Sequence, residues 1–382
     1  MSIELCLNGT RWLSPEGWRD DPLSIAGGLI ATGGVRPVSL PGKLVLPGIV
    51  DLHGDGFERH LAPRRGAMKH MPAGIVSAEA ELAANGITTA VLAQFYSWEG
   101  GLRSPDFATR MLEAVAIAAP TLGTDLRVQL RLETHMLDAH PAMLDLIAQH
   151  DIRYVAFNDH LPHDHLAAGK RPPRLTGTAL KSGRNPEAHL AMMMEMHARS
   201  AEVPAALDSF CTRLAARGVQ MASHDDSTQD DVATWRARGI TISEFPETAE
   251  AASAALARDM PTVLGAPNVA RGASHKGNAS ARDLVEQGLV TALASDYHYP
   301  APRNAIWELV DTAIMDLDRA WALISTNPAA VLGLTDRGEI TPGKRADLVI
   351  LDRETRLVEA TLSNGVFTYL TGETASRLTN TT

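Results

Sequence analysis

From about residue 45 to residue 335, short apolar runs rich in Val, Ile, Leu and Thr alternate with stretches of helical periodicity, the mark of repeated βα units. The runs predict strands over Leu44–Leu52, Ile87–Gln94, Arg127–Glu133, Arg153–Asn158, Val219–His224, Ile240–Phe245, Thr262–Ala266 and Val290–Ser295. Between them the spacing predicts helices over Ala73–Asn85, Pro105–Ala118, Pro186–Arg217, Asp230–Arg238 and Ala281–Gln287. Several stop at a glycine, as at Gly86, Gly218, Gly239 and Gly288, where a residue without Cβ enters the left-handed C-cap cheaply. Eight strands interleaved with helices predict an α/β fold, a closed (β/α)8 barrel over residues 46–337. The ends read differently. Residues 1–45 and 338–382 carry short β-like pieces such as Ile3–Leu7, Leu29–Ala31 and the stretch from Gly338 to Asp352, which predict a small composite β domain. The Ser/Thr-rich tail from Thr374 is expected to fray.

Polar residues interrupt this pattern at one kind of place. Strand after strand ends in acid or imidazole: His53 and Asp55, Glu133 and His135, Asp159 and His160, His224 with Asp225 and Asp226, Glu244, and Asp296. In a (β/α)8 barrel those carboxyl ends meet on one face, where active sites are built. Any one of these residues is as easily a helix N-cap, and Asp225 and Asp226 read as caps. Six coincident cases read as a site. His53 and Asp55 are one residue apart, so on an extended strand both project to the same side and can close on one divalent ion.

Composition adds boundaries. The 382 residues are 45% hydrophobic and 21% charged, ordinary for a soluble globular chain. Lys plus Arg number 35 against 45 for Asp plus Glu, a formal net charge of −10, so no global field draws the protein to nucleic acid or anionic membrane. No apolar stretch is long enough to span a bilayer, and the start lacks a secretory pattern; with Cys6 and Cys211 far apart, a cytoplasmic enzyme is expected. An anionic substrate then needs local cations. Lys170, Arg171, Arg174, Lys181 and Arg184 cluster in the loop after the fourth strand. Arg271, Ser274, His275 and Lys276, with Asn278, form a second candidate anion site beside Gly272 and Gly277, and Arg59 and His60 a weaker one. The methionines 192, 193, 194 and 196 read as core more readily than as contact surface, although the long helix carrying them leaves a homo-oligomer open.

Leu46-Pro47-Gly48-Ile49-Val50-Asp51-Leu52-His53, Ser295-Asp296 and the Gly338–Asp352 stretch resemble the first strand, the eighth strand and the β-sandwich return of the amidohydrolase superfamily. Three stretches resemble its phosphonate-metabolism branch: Ser223 to Thr228, Ile242 to Ala252, and Gly265 to Asn278. The resemblance implies a TIM barrel with a small β-sandwich formed by the N- and C-terminal segments. It also implies hydrolysis of a ribose 1-methylphosphonate 5-triphosphate within the triphosphate, releasing pyrophosphate and leaving the 5-phosphate, in alkylphosphonate breakdown.

The implied cofactor is one or two divalent metal ions, zinc by preference, and the implied partner is a small anionic phosphorylated sugar. On that footing His53 and Asp55 hold the first metal, Glu133 bridges, His160 and His224 serve the second, and Asp296 is a ligand that also takes the water proton. His135, His163 and His165 are alternative ligands. The chain departs from most of the superfamily in having His-Gly-Asp where His-x-His is usual, and its loop after His160 lacks a glycine-glutamine-arginine run. An amidohydrolase or deaminase acting on a C–N bond is the rival catalytic reading, and a metal-stabilised scaffold the non-enzymatic one.

Overall fold

The computed structural model describes residues 3–33, 36–62, 70–271 and 280–379. Eight strands carry the predicted barrel: β1 (Ile49–Gly54), β2 (Ile87–Tyr96), β3 (Asp125–Glu133), β4 (Tyr154–Asn158), β5 (Gln220–His224), β6 (Ile242–Glu244), β7 (Thr262–Gly265) and β8 (Ala292–Ala294). They lie in sequential order in one sheet. Every residue of β1, β2, β4 and β7 is buried, as strands covered on both faces require, and this is why they read as continuous apolar runs. Pairing is parallel wherever register is defined, for example Val155 opposite Met221 and Leu264 opposite Leu293. The last strand returns to the first: Gly54 bridges Asp296, and the Asp296 amide donates to the His53 carbonyl at 3.0 Å. This is a (β/α)8 barrel with an additional β domain.

The chain divides into two compact units, Met1–Leu92 with Ala114–Arg127 and Val263–Thr382, and Ala93–Glu113 with Val128–Thr262. The first holds two further sheets. One has four strands, Leu5–Asn8, Leu23–Ala26, Leu29–Ala31 and Pro37–Ser39. The other has six, Arg11–Ser14, Gly17–Arg19, Lys43–Pro47, Leu348–Asp352, Val358–Ser363 and Val366–Leu370, so both chain ends enter one sheet. Leu7, Ile25, Leu40, Val45, Leu348 and Ile350 belong to its core. In the second unit Leu132, Phe157, Phe210, Met221 and Ile240 belong to the main core cluster.

Three expectations need correction. The single strand expected over Leu44–Leu52 breaks at Gly48 into Lys43–Pro47, antiparallel to Leu348–Asp352, and β1. A Cβ at Gly48 would stand 2.4 Å from Thr88 Oγ1, so the chain crosses there only as glycine. The long helix expected over Pro186–Arg217 is two helices, Pro186–Ala198 and Val203–Ala215, joined by a 3₁₀ turn at Ser200–Glu202. Pro204 has no N–H to donate and its ring crowds the carbonyl four residues back, which stops the first helix upstream. The tail from Thr374 does not fray at once: Gly372–Thr379 is helical, and Glu359 accepts both the amide and the hydroxyl of Thr374, at 2.9 and 2.7 Å.

Candidate metal centre

In the second unit the chemistry begins with strand parity. Gln129, Arg131 and Glu133 alternate along β3 and therefore project to one face, and each meets a different polar partner. Glu133, buried, accepts the Trp98 indole N–H and the His160 backbone N–H, both at 3.2 Å, and the Nδ1–H of His160. Glu99 lies 3.9 Å from His160 Nδ1 and accepts from Arg103 at 2.7 Å. The donor atoms of Glu99, Glu133 and His160 all lie within 4.8 Å of one another. Two carboxylates and an imidazole at that spacing fit a divalent cation of the zinc, manganese or nickel kind. Burial pulls the His160 imidazole down, but hydrogen bonding and charge from Glu133, with the charge of Glu99, outweigh it and leave its pKa raised.

Arg131 is buried and donates Nη2 to His224 Nε2 at 2.8 Å and Nε to Asn158 at 3.3 Å. His224 in turn donates Nδ1–H to Glu244 at 3.2 Å, and Glu244 also accepts from Gln129 at 2.6 Å and from the Tyr154 hydroxyl. Burial first, then the Arg131 charge, push the His224 pKa down to about 4, so the imidazole is neutral with its lone pair on Nε2. Neutral imidazole is the form that ligates metal, and here its Nε2 lone pair is held by Arg131, so a cation would have to displace that hydrogen bond. The Arg103 and Arg131 guanidinium carbons lie 4.0 and 3.9 Å from the Phe95 ring centroid. Asp226 is not a cap. It is buried and accepts the hydroxyls of Ser223 at 2.5 Å and Ser243 at 2.8 Å, tying β5 to β6. Asp225 adopts φ 60° at the turn, and the helix Gln229–Ala237 is capped by Thr228 and Asp231 instead.

In the first unit, the backbone around Asp296 brings three candidates together. His53 is fully buried on β1, and the Asp55 amide donates to the Asp296 carbonyl at 2.8 Å while Asp296 adopts φ 55°. Asp51, one alternation before His53, accepts the Ser295 amide at 2.9 Å and hydroxyl at 2.5 Å, locking β1 to the end of β8. Arg59 and His60 both pair with Glu81, and Arg59 also donates to the Tyr297 carbonyl at 3.0 Å.

The basic loop is less uniform than its sequence. Lys170, Arg171, Arg174 and Lys181 are exposed; Arg171 pairs with Glu187 at 2.8 Å, and Arg184 donates to the Trp98 carbonyl at 2.5 Å. A pocket of about 200 Å³ next to His160 and Glu99 is lined from this loop by His165, Pro172, Pro173, Leu175 and Thr178. Ser274, His275, Lys276 and the side chain of Arg271 lie outside the described residues. His135 and His163 sit together in a separate group with Asp159.

Residues 44–374 match the amidohydrolase family. The chain belongs to that family. Over 327 residues it is 32% identical to the alpha-D-ribose 1-methylphosphonate 5-triphosphate diphosphatase of Escherichia coli (strain K12), covering 82% of this chain and 84% of that one. This places it in the phosphonate-metabolism branch of the amidohydrolases. Among solved structures, a molinate hydrolase has a TM-score of 0.65 at 13% identity, with 96% of this chain and 94% of that chain covered. The N-acetylglucosamine-6-phosphate deacetylase of Pasteurella multocida has a TM-score of 0.62 at 11% identity, covering 96% and 99%. At such identities they show the amidohydrolase fold alone. The protein is a hydrolase of a superfamily that typically uses divalent metals.

Sequence reasoning passed over Arg131, Glu99, Trp98 and Asn158. The signal for Arg131 was parity, since a residue two before Glu133 on a strand must share its face. Glu99 and Trp98 lie on the loop after β2, where no periodicity announces direction.

Proposed function

We propose that this amidohydrolase is a metal-dependent diphosphatase that cleaves alpha-D-ribose 1-methylphosphonate 5-triphosphate to the 5-phosphate and pyrophosphate. The observation that carries the substrate is likeness to the Escherichia coli diphosphatase over 82% of the chain. The site's chemistry supports hydrolysis. In this reading His53 and Asp55 would hold one ion and His160 and His224 the second, with Glu133 able to serve both and Asp296 as ligand and proton acceptor; zinc would suit this imidazole and carboxylate set. A bound divalent cation supplies Lewis acidity, polarising a phosphoryl oxygen and making water a better nucleophile.

The chain's own groups supply the rest. Trp98 and His160 fix Glu133, so its carboxylate cannot rotate away from the site. Arg131 places a guanidinium among the strand ends, where charge on a phosphoryl group develops. Lys170, Arg171, Arg174, Lys181 and Arg184 hold the triphosphate once the exposed side chains swing towards it, with Arg271, Ser274, His275 and Lys276 as a second grip. The cytoplasm is the proposed compartment.

The test is phosphorus NMR on metal-loaded protein incubated with ribose 1-methylphosphonate 5-triphosphate and, separately, with ATP. Pyrophosphate from the first alone is expected. Turnover of neither by fully metallated protein would overturn the reading, and a panel of cyclic amides and aminated heterocycles would take its place. Replacing Lys170, Arg171 and Arg174 together with alanine is expected to raise KM at least tenfold. Unchanged KM would remove the loop from the grip.

A further inference from the structure

Beyond the group around Glu133, the second unit holds a cluster that the hydrolytic reading does not use. His135 follows β3 by two residues, Asp159 follows β4 directly, and His163 opens the short helix His163–Ala167. One ligand atom from each lies within 4.8 Å of the others. His135 Nδ1 is 3.5 Å from Asp159 Oδ1, and His163 Nε2 is 3.0 Å from Asp159 Oδ2.

The surrounding hydrogen bonds fix the tautomer of His135 and leave two for His163. Ser200 donates its one hydroxyl hydrogen to the His197 carbonyl at 2.6 Å, so towards His135 Nε2, 3.3 Å away, it can only accept. His135 therefore carries its proton on Nε2 and a lone pair on Nδ1. That lone pair faces the Asp159 carboxylate, and the neighbouring Thr134 hydroxyl, 3.1 Å from Nδ1, has one hydrogen to offer. On the other side, His163 Nδ1 and His197 Nδ1 are 2.7 Å apart, so one donates to the other. If His163 donates, its Nε2 also presents a lone pair towards Asp159. Three electron-rich atoms then converge on one point, which repels unless a cation stands there. Each ligating imidazole would already have its second nitrogen held, His135 by Ser200 and His163 by His197, as metal-binding histidines require.

We propose that His135, Asp159 and His163 form a separate divalent transition-metal site, of the zinc class, positioned by Ser200 and His197. Asp159 and His163 are part-exposed, with side-chain exposures of 39% and 34%, so water completes the coordination and the ion exchanges with solvent. The site clips the end of β3 to the start of the loop that carries Lys170, Arg171 and Arg174. Metal binding there fixes the loop, and the proposal stands whichever substrate the hydrolase takes.

The test is zinc stoichiometry by elemental analysis and competitive titration, on the wild type, His163→Ala, His197→Ala and Glu133→Gln, each checked for folding by circular dichroism. His163→Ala is expected to hold one equivalent fewer than the wild type. His197→Ala should keep that equivalent at saturation with affinity about 10–100-fold weaker, the usual cost of losing an outer partner. Glu133→Gln should lose only ions bound elsewhere, keeping the His163-dependent one. Equal stoichiometry in wild type and His163→Ala would overturn the proposal and leave the cluster as a proton-bridged latch. Should His163→Ala not fold, hydrogen exchange of residues 162–185 in Glu133→Gln protein decides: protection that rises with zinc supports the clip, and no change overturns it.

Discussion

At the scale of single residues, Arg131 is the most exacting position in the second unit. Its guanidinium spans three partners, donating to His224 and Asn158 and stacking over Phe95, and it does so while buried. A planar fork is needed for that span, and an ammonium of the same charge cannot reproduce it. Arg131→Lys is accordingly expected to lower kcat/KM by about tenfold or more, with the fold retained, in steady-state kinetics on the triphosphate substrate; a lost charged hydrogen bond of about 1.5–3 kcal/mol corresponds to that loss. A variant with wild-type kinetics would reduce Arg131 to packing against Phe95. Glu133 and His224, by contrast, were visible as strand-end residues. What the sequence hid was their partners, because hydrogen-bond geometry across strands depends on register, and register is a tertiary fact.

At the scale of elements, β1 and the residues after β8 approach each other closely in the first unit. A Cβ on Gly54 would lie 2.6 Å from Ser295 Oγ, 2.8 Å from Asp51 Oδ2 and 3.0 Å from the Tyr299 ring. Gly54→Ala must therefore push apart the segments that carry His53, Asp55 and Asp296. Overpacking of this kind costs about 1–3 kcal/mol, and a lower denaturation midpoint with weaker zinc retention in dialysed protein is the expected result. An unchanged midpoint would mean that Ser295 yields freely. Elements were legible where one signal governed them. The barrel strands were legible from their apolar runs, six of the eight being buried at every residue, and Pro105–Ala118 was placed to the residue. Gly86, Gly218, Gly239 and Gly288 all take positive φ at their C-caps. Reading failed where a local pattern ran across a break imposed from outside. Apolar character continues through Gly48 although the chain changes sheet there, and helical periodicity continues through residues 199–202 although Pro204 forbids the hydrogen bonds. Four nearby methionines also divided, Met193 being buried and Met194 half-exposed, because helical periodicity separates neighbours onto different faces.

At the scale of the molecule, the two ends of the chain are joined by charge as well as by β pairing. Lys43 is almost fully buried, and its ammonium lies 2.8 Å from Asp352, 2.9 Å from Glu359 and 3.2 Å from Glu373. The three acids come from the strand Leu348–Asp352, the strand Val358–Ser363 and the helix Gly372–Thr379, more than 300 residues away in sequence. The Lys43 hydrogen bond holds Asp352 well below the usual carboxylate range. Burial pushes Glu359 up, yet hydrogen bonds from Thr374 and Lys43 outweigh it, while Arg377 and then Lys43 lower Glu373. Because all three are depressed in the fold, the unfolded chain binds more protons just below its own carboxylate range, about pH 4. Their stabilisation is thus complete above that range and is lost as pH falls through the lower folded values. Lys43→Met removes the common partner and leaves the acids crowded. At pH 7 it is expected to destabilise by about 3–5 kcal/mol, as breaking a buried pair does, with Glu373 contributing least because it is half-exposed. Denaturant melts at pH 7 and at pH 3 distinguish charge from packing. A gap between wild type and variant that shrinks on acidification identifies the ion cluster as the source, since protonated acids no longer need Lys43. A gap of constant size would instead assign the loss to the buried methylenes of the lysine stem, and the charge argument would fail.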